Sequence, residues 1–517
     1  MGRPDRATFD RLRQLIAIDR LDTRPTRPVL EAFTGEEMTT IPVGTAEDLQ
    51  LAVNRARAAQ ARWAERTPAD RAAVISRFAD LVFARRIELM DMAQAETGKA
   101  RAYAQEEVVD VALTARHYAA TGPKTLKAHR VKGMIPGATD VRVRYQPKGV
   151  IGIISPWNYP LTLAASDAVA ALIAGNAVVI KPDSQTPYCA LSVAELLYEA
   201  GLEPELFAVV PGPGTVVGTA LVESADYLMF TGSSQTGATL AAQAGRRLIG
   251  FSAELGGKNP MIVTANANID RAVEGAARAC YSNSGQLCIS IERLYVEKAV
   301  AGEFTRKFAD HVANMKVAPV YDFTADMGSL ASQAQVDTVD AHVKDAVEKG
   351  ATVLAGGRKL DEVGPFFYAP TVLGGVNEQM QCFGSETFGP LVSIYEVDSV
   401  DEAVKLANDT EYGLNASIFA GSTAEARAIG AQLHVGTVNI NEGYAAAWGS
   451  TAAPMGGMGI SGVGRRHGTE GLLKYTEPQT IAAQRVIGID GIRGVPRSLF
   501  LKLVPVSMKL LRFLPGR

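Results

Sequence analysis

Four short runs of apolar, strand-prone residues, Val150 to Ile154, Ala177 to Lys181, Phe207 to Val210 and Tyr227 to Thr231, alternate with stretches of helical pattern. Runs this apolar suit strands covered on both faces, and a helical connection returns the chain to start the next strand in the same direction. The chain is thus expected to be α/β with a parallel sheet, and ligands of such sheets bind beyond the carboxyl ends of the strands. Each chemically suggestive peptide of this region lies just after one of those ends.

Upstream, Thr45 to about Thr121 reads as helical, with Leu49, Val53, Ala56 and Trp63 on one stripe and Arg55, Arg57 and Arg62 between them. Val131, Val141, Val143 and Tyr145 surround turn signals at Pro136-Gly137 and Asp140, which predicts a β-hairpin over Ala128 to Tyr145. Beyond Leu255 a second α/β lobe is expected, with a helix over Asp270 to Asn283, a strand at Leu294 to Val296, a long helix near Gln333 to Lys349 and a strand at Thr371-Val372-Leu373. A length of 517 residues calls for at least two domains, meeting near Glu254. Gly212-Pro213-Gly214 reads as a loop, and Pro505 is expected to interrupt any helix in the closing stretch Pro496 to Arg517.

A net charge of −3 gives no basic face for nucleic acid, which leaves small-molecule chemistry favoured. Cys189, Cys280, Cys288 and Cys382 form no C-x-x-C pair and the six histidines show no metal spacing, so neither a disulfide framework nor a metal site is expected. The opening residues contain no apolar signal core and no long apolar span occurs, which points to the cytoplasm.

The chemistry centres on Asn283-Ser284-Gly285-Gln286-Leu287-Cys288 and the upstream Glu254-Leu255-Gly256-Gly257-Lys258. A thiolate can attack a carbonyl carbon, and a separate carboxylate can activate the water that releases the product. Taken singly, Cys288 also reads as a small buried hydrophobe and Glu254 as a solvated or capping residue. Asn158, bracketed by Pro156 and Pro160, reads either as a turn residue or as an aimed amide. Gly232-Ser233-Ser234-Gln235-Thr236-Gly237 follows a strand and opens a helix, which fits a capping turn or a pyrophosphate site.

These peptides, in this order and with Pro156-Trp157-Asn158-Tyr159-Pro160 and Phe230-Thr231-Gly232-Ser233, resemble the aldehyde dehydrogenase superfamily from about Leu30 to Tyr475. The resemblance implies a Rossmann-type cofactor lobe (1–127 and 147–254), an α/β catalytic lobe (255–467), a bridging oligomerisation arm (128–146 and 468–495) and a tail (496–517). It makes Cys288 the nucleophile, Glu254 the base for hydrolysis, and Asn158 with the Cys288 N–H the oxyanion donors. It assigns cofactor binding to Trp157, Asn158, Lys181, Pro182, Asp183, Ser184, Gly232, Ser233, Leu255 and Glu386, with Phe388 as a ring contact.

Ser184 stands where NAD-preferring relatives carry a glutamate, so Lys181 and a hydroxyl would face a 2′-phosphate without like-charge repulsion. NADP is therefore the expected cofactor, with NAD the alternative and Asp183 as an opposing charge. Within that family the chain resembles a branch labelled succinate-semialdehyde dehydrogenase. Its better-understood members hold the substrate carboxylate with arginines, where this chain has Ser166 and Ser282, which leaves Arg293 as one substitute. Near the C-terminal glycine-rich stretch Met458 replaces a common lysine and Arg466 a common glutamate. Transfer of the acyl group to coenzyme A, oxidation of a less polar aldehyde, and a noncatalytic scaffold are the competing readings. The resemblance implies a homo-oligomer, dimer or tetramer. The tail's Leu499, Phe500, Leu503, Val506, Leu510, Leu511 and Phe513, interspersed with Lys502, Lys509 and Arg512, suit either a cover over protein or peripheral contact with an anionic membrane.

Overall fold

The computed structural model describes residues 2–134, 139–484, 491 and 494–511. The four expected strands lie in one six-stranded sheet, in the order Gly462–Val463, Gly250–Glu254, Tyr227–Thr231, Val150–Ile154, Ala177–Lys181, Phe207–Val209. All neighbours are parallel except the short edge strand Gly462–Val463. Val150, Ile151, Val178, Val179 and Ile180 are essentially without exposure, as strands covered by helices on both faces require.

The helical stretch before it resolves into Ala46–Glu65, Pro68–Ala84, Arg86–Thr97 and Arg101–Thr125. Thr45 with Asp48, and Thr67 with Asp70, form reciprocal capping boxes that start the first two. The predicted stripe Leu49, Val53, Ala56 and Trp63 is buried, and the Trp63 indole donates to the Leu172 carbonyl at 2.8 Å. The arginines between them face outward to Asp19, Asp226 and Glu203.

A second, seven-stranded sheet begins where the first ends. Its order is Thr352–Ala355, Thr371–Gly374, Leu391–Val397, Ile291–Glu297, Asn259–Val263, Asn415–Phe419, Thr437–Ile440. Only Thr352–Ala355 runs antiparallel to its neighbour. Four residues therefore separate Glu254, the last residue of a strand in one sheet, from Asn259, the first of a strand in the other, and the Leu255-to-Lys258 peptide forms that junction.

Strands His129–Val131 and Thr139–Pro147 pair antiparallel as the expected hairpin, whose turn at Pro136-Gly137 lies outside the described residues. Thr476–Gln484 adds a third strand. The stretch expected to belong wholly to this arm begins instead as helix Gly468–Leu473 against Pro160–Ile173, because Leu472 and Tyr475 bury into the first lobe's core.

The Gly212-Pro213 stretch is irregular, as expected, and leads into one π-helical turn, Gly214–Gly218. One further expectation needs correction. Pro505 does not stop the tail: one helix spans Arg497–Leu511. Leu501, whose carbonyl loses its donor at Pro505, is exposed, so water can satisfy that group.

Candidate active site

Cys288 follows a turn in which Asn283, Ser284 and Gly285 all have φ between 50° and 71°. This left-handed succession reverses the chain before the thiol. Gly285 is needed at its end, since a Cβ there would lie 2.1 Å from the Gly389 carbonyl oxygen. The side-chain amide of Asn259 donates to the Cys288 carbonyl at 2.8 Å and the Ser290 carbonyl at 2.7 Å, fixing the loop to the first strand of the second sheet. Among the four cysteines only Cys288 is not fully buried. Burial, reinforced by Glu386 and Glu254, pushes its thiol up to about 12. The resting group is S–H, and attack requires a proton acceptor.

Asn158 sits in the loop after strand Val150–Ile154, and its amide donates to the Gln286 carbonyl at 3.0 Å. A side-chain amide has two hydrogens, so one remains. The Cys288 N–H has no partner among the described residues, which leaves two free donors on adjoining peptides. Buried Lys99 donates to the Asn158 carbonyl at 2.8 Å and pairs with Glu107. Glu107 in turn accepts from the backbone N–H groups of Leu161 and Thr162 at 2.9 and 3.1 Å, capping helix Pro160–Ile173. The aimed-amide reading therefore accounts for the position better than a free turn residue.

Glu254 is 6% exposed and its carboxylate has no hydrogen bond in the described structure. Burial raises it to about 7, against the pull of Arg466 and Lys474. Arg466 is held by Asp167, which accepts from it at 2.6 and 3.0 Å, from Lys474 at 3.0 Å and from the Tyr475 hydroxyl at 2.9 Å. An unpartnered carboxyl poised near neutrality, electrostatically coupled to the thiol, has the attributes of a general base.

The expected cofactor residues cluster at the carboxyl ends of the first sheet's strands. Trp157 follows Val150–Ile154 and stacks edge-on to Phe388 at 5.5 Å; Pro182, Asp183 and Ser184 follow Ala177–Lys181; Gly232 and Ser233 follow Tyr227–Thr231; Leu255 follows Gly250–Glu254. Lys181 is 6% exposed and its ammonium has no hydrogen bond among the described residues, with burial lowering it and Arg27 acting the same way against Asp183. Asp183 turns a carboxylate oxygen to the Gln185 N–H at 2.9 Å. Ser233 spends its hydroxyl on capping helix Ser234–Arg247, accepting from Thr236 N–H, so its ligand-facing group is backbone. Glu386 accepts from Gly257 N–H at 2.9 Å, and a Cβ on Gly256 would come within 2.3 Å of that carboxylate. A buried cation at the end of one strand and a helix N-terminus at the end of another fit the phosphates of a dinucleotide.

Arg293 is not a substitute for the missing substrate arginines. Its guanidinium is buried and committed to the carbonyls of Lys258, Leu406 and Ala407. Ser166 donates to Asp110, and Ser282 to the Arg278 carbonyl. Beside Cys288 the wall is formed by Tyr159, Leu163, Leu287, Ile289, Tyr444 and Met455. Sequence reasoning missed the Lys99–Glu107 grip on Asn158 and the buried Lys258–Glu292 pair, whose carboxylate accepts from the N–H groups of Thr387 and Phe388 at 3.0 and 3.1 Å. The glycine pair before Lys258 was the single local signal for the latter. Among the described residues no group of side chains could hold a metal ion, and no helix is long and apolar enough to cross a membrane.

A half-buried thiol, a buried carboxyl without a hydrogen bond among the described residues, and helix and strand ends of an α/β sheet are the site features of an oxidoreductase that works through a thiol. The chain belongs to the aldehyde dehydrogenase family, whose model matches residues 21–481. A Mycolicibacterium smegmatis protein named "Putative succinate-semialdehyde dehydrogenase", of the NADP(+) type, is 62% identical over 517 residues, covering 100% of both chains. The solved succinate-semialdehyde dehydrogenase from Burkholderia pseudomallei superimposes with a TM-score of 0.85 at 34% identity, over 89% of this chain and 95% of that one. Betaine aldehyde dehydrogenase from Staphylococcus aureus, solved in complex with NAD+, gives 0.88 at 29% identity, over 93% and 96%.

Proposed function

We propose that this chain oxidises an aldehyde to the carboxylic acid with NADP as electron acceptor and water as acyl acceptor. The observation that carries the reading is the buried, unpartnered Glu254 near pKa 7 in the field of the Cys288 thiol. The thiol adds to the aldehyde carbon as its proton leaves to a neighbouring base, and the oxyanion is met by the Cys288 N–H and the Asn158 amide. Trp157, Lys181, Ser184 and the start of helix Ser234–Arg247 would hold NADP, which would supply a two-electron acceptor for oxidation of the adduct to the thioester level. Glu254 then takes a proton from water as it attacks, releasing the acid and returning the thiol. A carboxylate so placed favours water over coenzyme A, and adding coenzyme A to the assay without a change in product tests that choice.

Succinate semialdehyde, named for the relatives, is the proposed substrate. Among the described residues the buried Tyr159 hydroxyl beside the thiol has no partner, which leaves it as a donor for a polar substrate end. A kcat/KM for succinate semialdehyde above that for butanal supports this, and the reverse order favours a less polar aldehyde. For the cofactor, Ser184→Glu should move preference from NADP toward NAD by repelling the 2′-phosphate and accepting from a ribose hydroxyl. An unchanged ratio of specificity constants would count against the charge argument.

The three-stranded arm is proposed to bridge copies of the chain in a homo-oligomer. For the tail, contact with an anionic membrane surface is favoured by the exposure of Leu499, Leu501 and Leu503, each about half open to solvent, beside exposed Lys502. The side chains from Val506 onward lie outside the described residues. Full-length chain should sediment with anionic vesicles, and chain truncated before Pro496 should not. If neither binds and truncation disrupts the oligomer, the tail is a cover between subunits.

A further inference from the structure

A cavity of about 390 Å³ opens beside Ser184, walled by Arg27, Gln185, Ser332, Gln333 and Phe366. Two of its polar atoms, Gln185 Oε1 and Ser332 Oγ, are buried without a partner. Ser332 heads the 16-residue helix Gln333–Glu348 and makes no side-chain cap, so the first N–H groups of that helix are left for another acceptor. Arg27 comes from the N-terminal strand Thr26–Leu30, paired through Arg27 to Ile41 of Glu37–Pro42. Its guanidinium makes no hydrogen bond or ion pair among the described residues, and its charge reaches Lys181, which is 6% exposed and equally unpartnered.

Arg27, the Ser184 and Ser332 hydroxyls and a helix N-terminus thus line one cavity, and the Arg27 charge also reaches Lys181. Two acids lie near: Glu96 lines the same cavity, and the Asp183 charge acts on Lys181 more strongly than that of Arg27. Asp183 bonds the Gln185 N–H, and Glu96 accepts from the N–H groups of Tyr188 and Cys189, each at 2.8 Å, with burial raising it to about 8.

We propose that Arg27, with Ser184 and the N-terminus of helix Gln333–Glu348, holds the 2′-phosphate of NADP. Cofactor choice is then set by three separate stretches of the chain, of which the residues after Ala177–Lys181 are one. This rests on the NADP reading above and adds to it a specificity-determining residue. The planar guanidinium suits bidentate contact with a phosphate, which lysine cannot reproduce.

The test is calorimetric titration of the full chain with 2′,5′-ADP and with 5′-AMP, which differ by the 2′-phosphate alone. Arg27→Ala should weaken 2′,5′-ADP by at least about tenfold, the scale of one charged hydrogen bond, and leave 5′-AMP unchanged. Arg27→Lys should fall between. Unaltered 2′,5′-ADP affinity in Arg27→Ala, or an equal loss for both nucleotides, overturns the assignment while leaving the NADP reading standing. An unmodified chain that binds 2′,5′-ADP no tighter than 5′-AMP overturns the NADP reading, and the role of Arg27 with it.

Discussion

Replacing Cys288 with alanine will reduce aldehyde oxidation to background, by roughly the 10⁶-fold that deletion of a covalent nucleophile can cost. The substitution is small and falls on a half-buried residue, and the loop is held by Asn259 through backbone carbonyls rather than through the thiol. Binding of NADP should therefore persist, and titration of the cofactor in the variant checks that the cleft survives. Turnover remaining within about tenfold of the parent would remove Cys288 from the mechanism, because no loss of that size reflects a missing nucleophile. Cys189, Cys280 and Cys382 offer no replacement, since all three are buried and their thiols are raised by burial.

Glu254→Gln should separate the two halves of the reaction. Acyl transfer to the thiol continues, so NADPH appears in a burst of about one per active subunit, whereas steady turnover falls by about 10²- to 10⁴-fold, the usual contribution of a positioned base. In the parent enzyme steady turnover should rise with pH through about 7, because Glu254 acts as the anion and burial holds it neutral below that value. The stability consequence has the opposite sign. A carboxyl raised to about 7 in the folded chain favours folding fully below its unfolded value, and that contribution fades as pH rises through 7. Glu254→Gln should consequently be at least as resistant to heat as the parent at pH 8. A burst and a steady rate that fall together would take the hydrolytic role away from Glu254.

The parts of this molecule that could be read from sequence are those with short-range causes. The four strands of the first sheet declare themselves by continuous apolar runs, and their positions agree with expectation within a residue. Cys288, Glu254 and Asn158 are conspicuous because glycines and prolines mark the turns that carry them. What was hidden depends on contacts between distant stretches. Lys99 grips Asn158 across 59 residues, and Arg27 reaches the cavity at Ser184 from a strand with no phosphate-binding pattern. Arg293 misled because an arginine near a catalytic cysteine looks available, whereas the fold spends its donors on carbonyls of the stretch around Leu406. Pro505 misled for the opposite reason: the rule that proline breaks helices assumes a buried carbonyl, and here the preceding turn faces water.

The most direct measurement is intact-mass and peptide mass spectrometry of Glu254→Gln quenched during turnover with aldehyde and NADP. The account predicts one acyl group per active subunit, with the mass of the aldehyde less two hydrogens, on the peptide containing Cys288. Formation of this adduct should match the NADPH burst. A burst with no acyl-enzyme, or an acyl group carried on any residue other than Cys288, would contradict covalent catalysis at this thiol.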